Sequence, residues 1–317
     1  MKIKHMITVI TFNPSIDRLY NVDTFEIGSV QRANFVNPTA GGKGLNVAKV
    51  LNKLGEDINC IGFLGGFNGE YIKSELTKIG IKNKFTQIEE ETRICLNIID
   101  SENKSTEILE SGPNISKQEL EEFEKNLDNV LCTTKVLVAS GSLPNGLPKD
   151  YYFRIGNLCK EKNIKFILDS SGESLKLGLN SKPFFIKPNT DELEALSGVK
   201  IKNIDDIINI AKSILLTGTE NICVSMGKYG MVLVNKEFIY KVEIPNINII
   251  NTVGSGDSSI AGIALGIFNE YDLIDTLKLA NACGMSNAMH MSTGDIELED
   301  IKKFIDEIKV YKYICKS

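Results

Sequence analysis

The sequence predicts an α/β fold with a mostly parallel central sheet covered by helices on both faces, and three observations predict it. Short β-rich apolar runs alternate with helical patterns along most of the chain. The runs are continuously apolar and do not alternate with polar residues, as expected of strands buried on both faces. Two segments, 14–39 and 90–113, break this rhythm: they are polar and strand-like, without helical period.

Taken in order, the first strand is read at "ITVITF" (7–12), followed by the excursion 14–39. In 45–54, Val47, Val50, Leu51 and Leu54 fall at i, i+3, i+4 and i+7, and Gly55 ends the helix. "INCIGF" (58–63) is the next strand, and the excursion 90–113 is expected to pair with 14–39 as a small β-lid. The strands "KVLVAS" (135–140), "KFILD" (165–169), "PFFIKP" (183–188) and "NICVSM" (221–226) complete the sheet. A late helix is read from Ile260, Ile263, Ala264 and Ile267, which keep core spacing, with Gly262 and Gly266 allowing close packing. No internal repeat or linker interrupts the pattern, so residues 1–317 read as one domain plus the lid.

Composition narrows the function. Hydrophobic residues make up 42% and charged residues 24%, ordinary for a globular protein with a full core. The formal charge of −5, without a dense basic stripe, argues against nucleic acid as a partner. No apolar run approaches membrane-spanning length, and the opening "MKIKHMITVITF" lacks the features of a signal peptide. The seven cysteines (60, 95, 132, 159, 223, 283 and 315) stand singly with no C-x-x-C, which suits reduced thiols and a cytoplasmic location. With only His5 and His290 and no H-E-x-x-H, triad hydrolases and His-rich zinc enzymes are poorly supported. A dinucleotide oxidoreductase would need G-x-G-x-x-G after the first strand, and none is there.

Four groups carry chemistry. In "TAGGKGLNVAKVL" (39–51), Gly41, Gly42 and Gly44 permit close ligand approach, and Lys43 adds charge at a helix start. It is not a Walker A loop, and a tight turn with a solvated lysine explains it equally well. In "NTVGSGDSSIAG" (251–262), Gly254 and Gly256 can form an anion-binding nest around Ser255. A carboxylate placed there, Asp257, repels phosphate unless it acts on something. It can take a proton from a substrate hydroxyl while the nest stabilises a transferring phosphoryl group, or it can simply complement the helix dipole. In "KPNTDELEAL" (187–196), Asn189 and Glu192 also have the form of a capping box. In "ETRIC" (91–95), Arg93 is either a surface ion-pair partner or a clamp on an anionic substrate.

"AGGKGLNVAKVL" and "NTVGSGDSSIAG", in this order, resemble the two signatures of the ribokinase-like, PfkB-type carbohydrate kinases, and the resemblance runs from about Asn13 to about Val310. "FNPSID" (12–17), "TEILESGP" (106–113), "SGSLPNGLP" (140–148), "LDSSG" (168–172) and "IKPNTDELE" (186–194) are similar to the ketose-phosphate branch. The resemblance implies a three-layer α/β/α sandwich with a β-lid, ATP and Mg²⁺ as cofactors, and phosphorylation of a ketohexose phosphate. "GGKGLNV", "TEILESGP", "LDSSG" and "ACGMSNAMHMSTGDIEL" (282–298) look closer to the members acting on tagatose 6-phosphate, with fructose 1-phosphate as the competing substrate. It also implies roles: Asp257 as base; Gly254, Ser255 and Gly256 as anion hole; Asp17 holding sugar hydroxyls. Gly42, Lys43 and Asn46 match the sugar-phosphate side, and Arg93 the lid arginine facing the phosphate. Lys187, Ser225 and Gly227 match residues along the ATP phosphates, and Asn189 and Glu192 the pair that organises Mg²⁺ through water. A homodimer formed through the lid is expected. A non-catalytic sugar-phosphate sensor, the reading from another class, should show erosion at Asp257 or the nest, and both are intact.

Overall fold

The computed structural model describes residues 4–102 and 104–314; Cys315 and the first three residues of the N-terminal lead lie outside the described residues. The backbone of the fold is an 11-stranded sheet. From one edge it runs Lys309–Lys312, Ile239–Glu243, Met231–Asn235, Asn221–Ser225, Phe185–Ile186, Lys165–Asp169, Thr134–Ser140, Met6–Thr11, Ile58–Gly65 and Lys82–Asn83. Thr86–Ile88 also pairs with Ile58–Gly65. Pairing is parallel from Asn221–Ser225 to Lys82–Asn83 and antiparallel at the other end.

Strand alternation divides the core in two. Ile7, Val9, Val136 and Val138 face one hydrophobic cluster, whereas Ile10, Leu137, Ala139 and Leu168 face the other. Helices Lys43–Lys53, Ser255–Phe268, Leu273–Ala288 and Leu298–Glu307 cover the first face, and Lys117–Leu131, Tyr151–Glu161 and Ile204–Leu215 the second. The result is a three-layer α/β/α arrangement.

The run 183–188 yields only the two-residue strand Phe185–Ile186. Pro183 and Pro188 bracket it and have no N–H to give a ladder. Helix Ser255–Phe268 is buried on every side from Asp257 to Gly266, so its core spacing describes only part of its contacts. It lies between the sheet and helix Leu273–Ala288. A Cβ at Gly262 would come within 2.7 Å of the Ala280 backbone, so glycine is what lets these helices touch.

The two excursions form a separate four-stranded sheet in the order Phe35–Gly41, Ser15–Asn21, Arg93–Ile99, Ser105–Leu109. The register aligns Ser15 with Gly41 and Arg93, and Asp17 with Thr39 and Cys95. Because side chains alternate along a strand, Ser15, Asp17, Thr39, Cys95 and Leu109 share one face. That face looks onto the carboxyl edge of the main sheet, where ligands sit in open α/β folds.

Candidate active site

Between the two sheets lies a cleft of about 850 Å³, within the range of small-molecule sites. Every residue given a role by the family resemblance lines it, whereas Gly41 and Gly44 do not: they pack against Asp17 and Thr11. Asp17 and Arg93 come from the second sheet, and Gly42, Lys43 and Asn46 from the start of helix Lys43–Lys53. Lys187, Asn189, Glu192, Ser225 and Gly227 follow the strands Phe185–Ile186 and Asn221–Ser225, and Gly254 to Asp257 open the helix Ser255–Phe268.

The start of that last helix is built for an anion. Gly254 is left-handed (φ 82°) at the N-cap, and no side chain caps the helix. The Ser255 N–H turns back to the Thr252 carbonyl (3.2 Å), and the Gly256 and Asp257 N–H groups, which have no intrahelical acceptor, are left for a ligand. Asn287, fully buried, fixes this turn: its Nδ2 donates to the Val253 carbonyl (2.9 Å) and to Ser255 Oγ (3.2 Å), and its Oδ1 accepts from Gly294 N–H (2.8 Å). Helix Lys43–Lys53 likewise starts at a glycine, Gly42 (φ 100°), without a side-chain cap.

Asp257 is 7% exposed, and its Oδ2 accepts a hydrogen bond from Asn46 Nδ2 at 2.8 Å. Burial, and then the like charge of Asp169, push its carboxyl up to about 6 against the pull of Lys43, Asn46 and Lys187. Lys43, though partly exposed, is paired: its Nζ lies 3.6 Å from Glu192 Oε1 and 4.0 Å from Asp169 Oδ2. Asp169, followed by Asp257 and Glu192, holds the Lys43 ammonium above the usual lysine range. Asp17 accepts from Ser15 Oγ (2.6 Å), and burial raises its carboxyl. A Cβ at Gly41 would occupy the space of that carboxylate, which explains the glycine there.

Asn189 and Glu192 form a true capping box: Glu192 N–H donates to Asn189 Oδ1 (2.7 Å) and Asn189 N–H to Glu192 Oε2 (2.9 Å). Only Glu192 Oε1 remains, and it faces Lys43. Among the described residues no group of three or more His, Cys, Asp or Glu is placed to hold a metal ion. Arg93 makes no carboxylate pair among the described residues. Its Nε and Nη2 donate to the Asn13 carbonyl (3.2 and 3.0 Å) and its Nη1 to the Glu110 carbonyl (2.8 Å).

Two participants carried no role in the sequence reading. Asp169 lies inside the quoted "LDSSG", but nothing local says that it is 4% exposed and beside Lys43. The signal available was a carboxylate at the carboxyl end of a buried strand. Asn287 lies within a helical pattern, where its link to Gly294 and Ser255 is invisible.

An α/β chain with its charged groups gathered at an uncapped helix start, on the carboxyl edge of the sheet, has the build of a group-transfer enzyme. Residues 10–300 match the pfkB family carbohydrate kinase model, and the chain belongs to that family. The tagatose-6-phosphate kinases of two Staphylococcus epidermidis strains are 45% identical to it over 308 residues, 96% of this chain and 99% of theirs. Among solved structures, Escherichia coli phosphofructokinase-2 superposes with a TM-score of 0.90 at 25% identity, covering 96% of this chain and 99% of that one. It has also been solved in a tetrameric inhibited form. A Thermotoga maritima protein described as a possible 1-phosphofructokinase gives 0.89 at 25% identity, covering 98% and 100%.

Proposed function

We propose that this chain phosphorylates tagatose 6-phosphate with ATP, giving tagatose 1,6-bisphosphate and ADP. The observation that carries the reading is Asp257: a buried carboxylate in the first turn of an uncapped helix, between Lys43 and Lys187. The near full-length identity to proteins named tagatose-6-phosphate kinase supports the choice of sugar.

In this reading Asp257 takes the proton of the free sugar hydroxyl as its oxygen bonds to the γ-phosphorus and the bond to ADP breaks. The N–H groups of Gly254 and Gly256 and the Ser255 hydroxyl, with Lys43 and Lys187, face the charge on the phosphoryl group. Asn46 fixes Asp257 through Nδ2, and its buried, unpartnered Oδ1 can accept from a sugar hydroxyl. Asp17, on the opposite wall, binds further hydroxyls. Arg93 retains two N–H groups beyond those given to Asn13 and Glu110, and these hold the phosphate already on the sugar.

Ser225 and Gly227, with Lys187, border the ATP phosphates. The donor set near Glu192 fits Mg²⁺ held through water: Oε1 is the one oxygen not used in capping, and Asn189 fixes that side chain. When bound, Mg²⁺ would supply positive charge that offsets the charge of the ATP phosphates. The second sheet acts as a lid, and its exposed Phe35, Val36 and Ile108 support pairing of two lids in a homodimer. No helix of the described residues is long and apolar enough to cross a membrane, and the scattered thiols support a cytoplasmic enzyme.

Fructose 1-phosphate is the second reading, favoured by the likeness to the Thermotoga protein. The test is ATP turnover with tagatose 6-phosphate, fructose 1-phosphate and fructose 6-phosphate. The highest kcat/KM is expected with the first. A preference of about tenfold for fructose 1-phosphate, a 1.4 kcal/mol difference, overturns the sugar assignment and leaves the kinase. No turnover with any of them leaves the sensor reading.

A further inference from the structure

Lys49 does not line the cleft, yet it touches the backbone of both halves. It projects from helix Lys43–Lys53 beneath the site. Its Nζ donates to the carbonyl of Ala40 (3.1 Å) and to the carbonyl of Thr293 (2.7 Å). Ala40 is the last residue before Gly41, whose missing side chain makes room for the Asp17 carboxylate. Thr293 precedes Gly294, which lies against Asn46 and the Lys49 stem and donates its N–H to Asn287. Asn287 in turn holds Val253 and Ser255, the turn that opens the anion nest. Gly254 packs directly on this pair, since a Cβ there would sit 3.2 Å from Gly294 N and Thr293 Cβ.

We propose that Lys49 is a positioning residue that keeps the sugar-binding strand and the phosphoryl-binding turn in register; this rests on the kinase reading above. The chemistry of the group suits the task. One ammonium offers its N–H groups in several directions and can satisfy two carbonyls from segments far apart in sequence. The cation is half-buried, and burial lowers it to about 8 against the opposing effects of Asp17, Asp257 and Asp295. A buried charge of this kind is retained at a cost to stability, and its bonds answer for its presence. Losing them frees Ala40 relative to Thr293, so Asp17 and the nest are no longer held at a fixed spacing. Displacements of about 1 Å at reacting groups cost about 100-fold in rate.

The test compares wild type with Lys49→Met, which keeps the stem and deletes the donors, and Lys49→Arg, which keeps them. Steady-state ATP turnover is measured with tagatose 6-phosphate, with folding followed by thermal denaturation. For Lys49→Met, kcat is expected to fall about tenfold or more and KM for the sugar phosphate to rise, while KM for ATP stays within about twofold. Lys49→Arg is expected to recover most of kcat. A Lys49→Met enzyme that melts earlier but turns over like wild type makes Lys49 merely structural and overturns the proposal. If Lys49→Met does not fold, Lys49→Gln, which keeps N–H donors on a shorter arm, decides: the same split supports the role, and unchanged kcat and KM overturn it. A wild type inert towards every sugar phosphate tested refutes the kinase reading, and the role of Lys49 with it.

Discussion

Replacing Asp257 by Asn keeps the shape of the side chain and its acceptor for Asn46 Nδ2, but removes the proton acceptor. Two effects of opposite sign are expected. A positioned base contributes roughly 10²–10⁴-fold, so kcat with tagatose 6-phosphate should drop by that factor while KM for ATP changes little. Stability should move the other way. In the folded protein the carboxyl titrates at about 6, against an ordinary 3.8, because burial and Asp169 disfavour its charge. The folded state therefore holds the proton more tightly than the unfolded chain. The stability contributed by neutral Asp257 is full below 3.8 and is lost as pH rises through about 6. At pH 7 the ionised group costs on the order of 1–3 kcal/mol, which the neutral amide avoids. Asp257→Asn should thus raise Tm by about 2–5 °C at pH 7, and by much less near pH 4. Calorimetry at the two pH values and a coupled ADP assay measure both effects. Wild-type kcat/KM should also fall below about pH 6, where the base is protonated. Near-normal turnover in the variant removes Asp257 from the chemistry. A variant less stable than wild type at pH 7 refutes the electrostatic argument.

Two further outcomes are expected. Arg93→Ala should raise KM for the sugar phosphate at least about tenfold, from loss of charge-assisted bonds of roughly 1.5–3 kcal/mol each, with KM for ATP nearly unchanged. Because Arg93 also holds the Asn13 and Glu110 carbonyls, kcat should drop too, and a pure KM effect would argue against that second role. Removing divalent metal with a chelator should abolish ATP turnover and added Mg²⁺ should restore it; undiminished activity after chelation contradicts the proposed use of Asn189 and Glu192.

The layout of the molecule was largely legible because strands and glycine turns are local signals. "ITVITF" becomes Met6–Thr11 and "KFILD" becomes Lys165–Asp169, and the two polar excursions pair as Ser15–Asn21 with Arg93–Ile99. Gly262 was legible as a packing glycine, since a helix otherwise has no use for one. What could not be read was partnership across long sequence separations. Asn46 reaches Asp257, 211 residues away, and Lys49 reaches Thr293, 244 residues away. Neither separation leaves a trace in periodicity. Where the sequence left two explanations for one motif, the structure shows the structural one. Asn189 and Glu192 do cap their helix, and the capping is what presents Glu192 Oε1 to Lys43.

The surroundings of Asp257 explain why an aspartate follows a glycine nest at all. At an ordinary exposed helix start, a carboxylate in the first turn is stabilising by about 0.3–1 kcal/mol and would keep its usual acidity. Here the carboxylate itself is buried, a second carboxylate lies close by, and the carboxyl is shifted up despite two nearby lysines and the helix dipole. A residue selected for dipole complementation alone would not be placed where its charge is disfavoured. A base that must accept a proton near neutral pH would be, because raising its affinity for the proton is part of the task. The cations Lys43 and Lys187 limit that rise, so the carboxylate still exists at pH 7. In the proposed role Asp257 is therefore tuned between burial and Asp169 on one side and Lys43, Asn46 and Lys187 on the other, and that balance sets its working range.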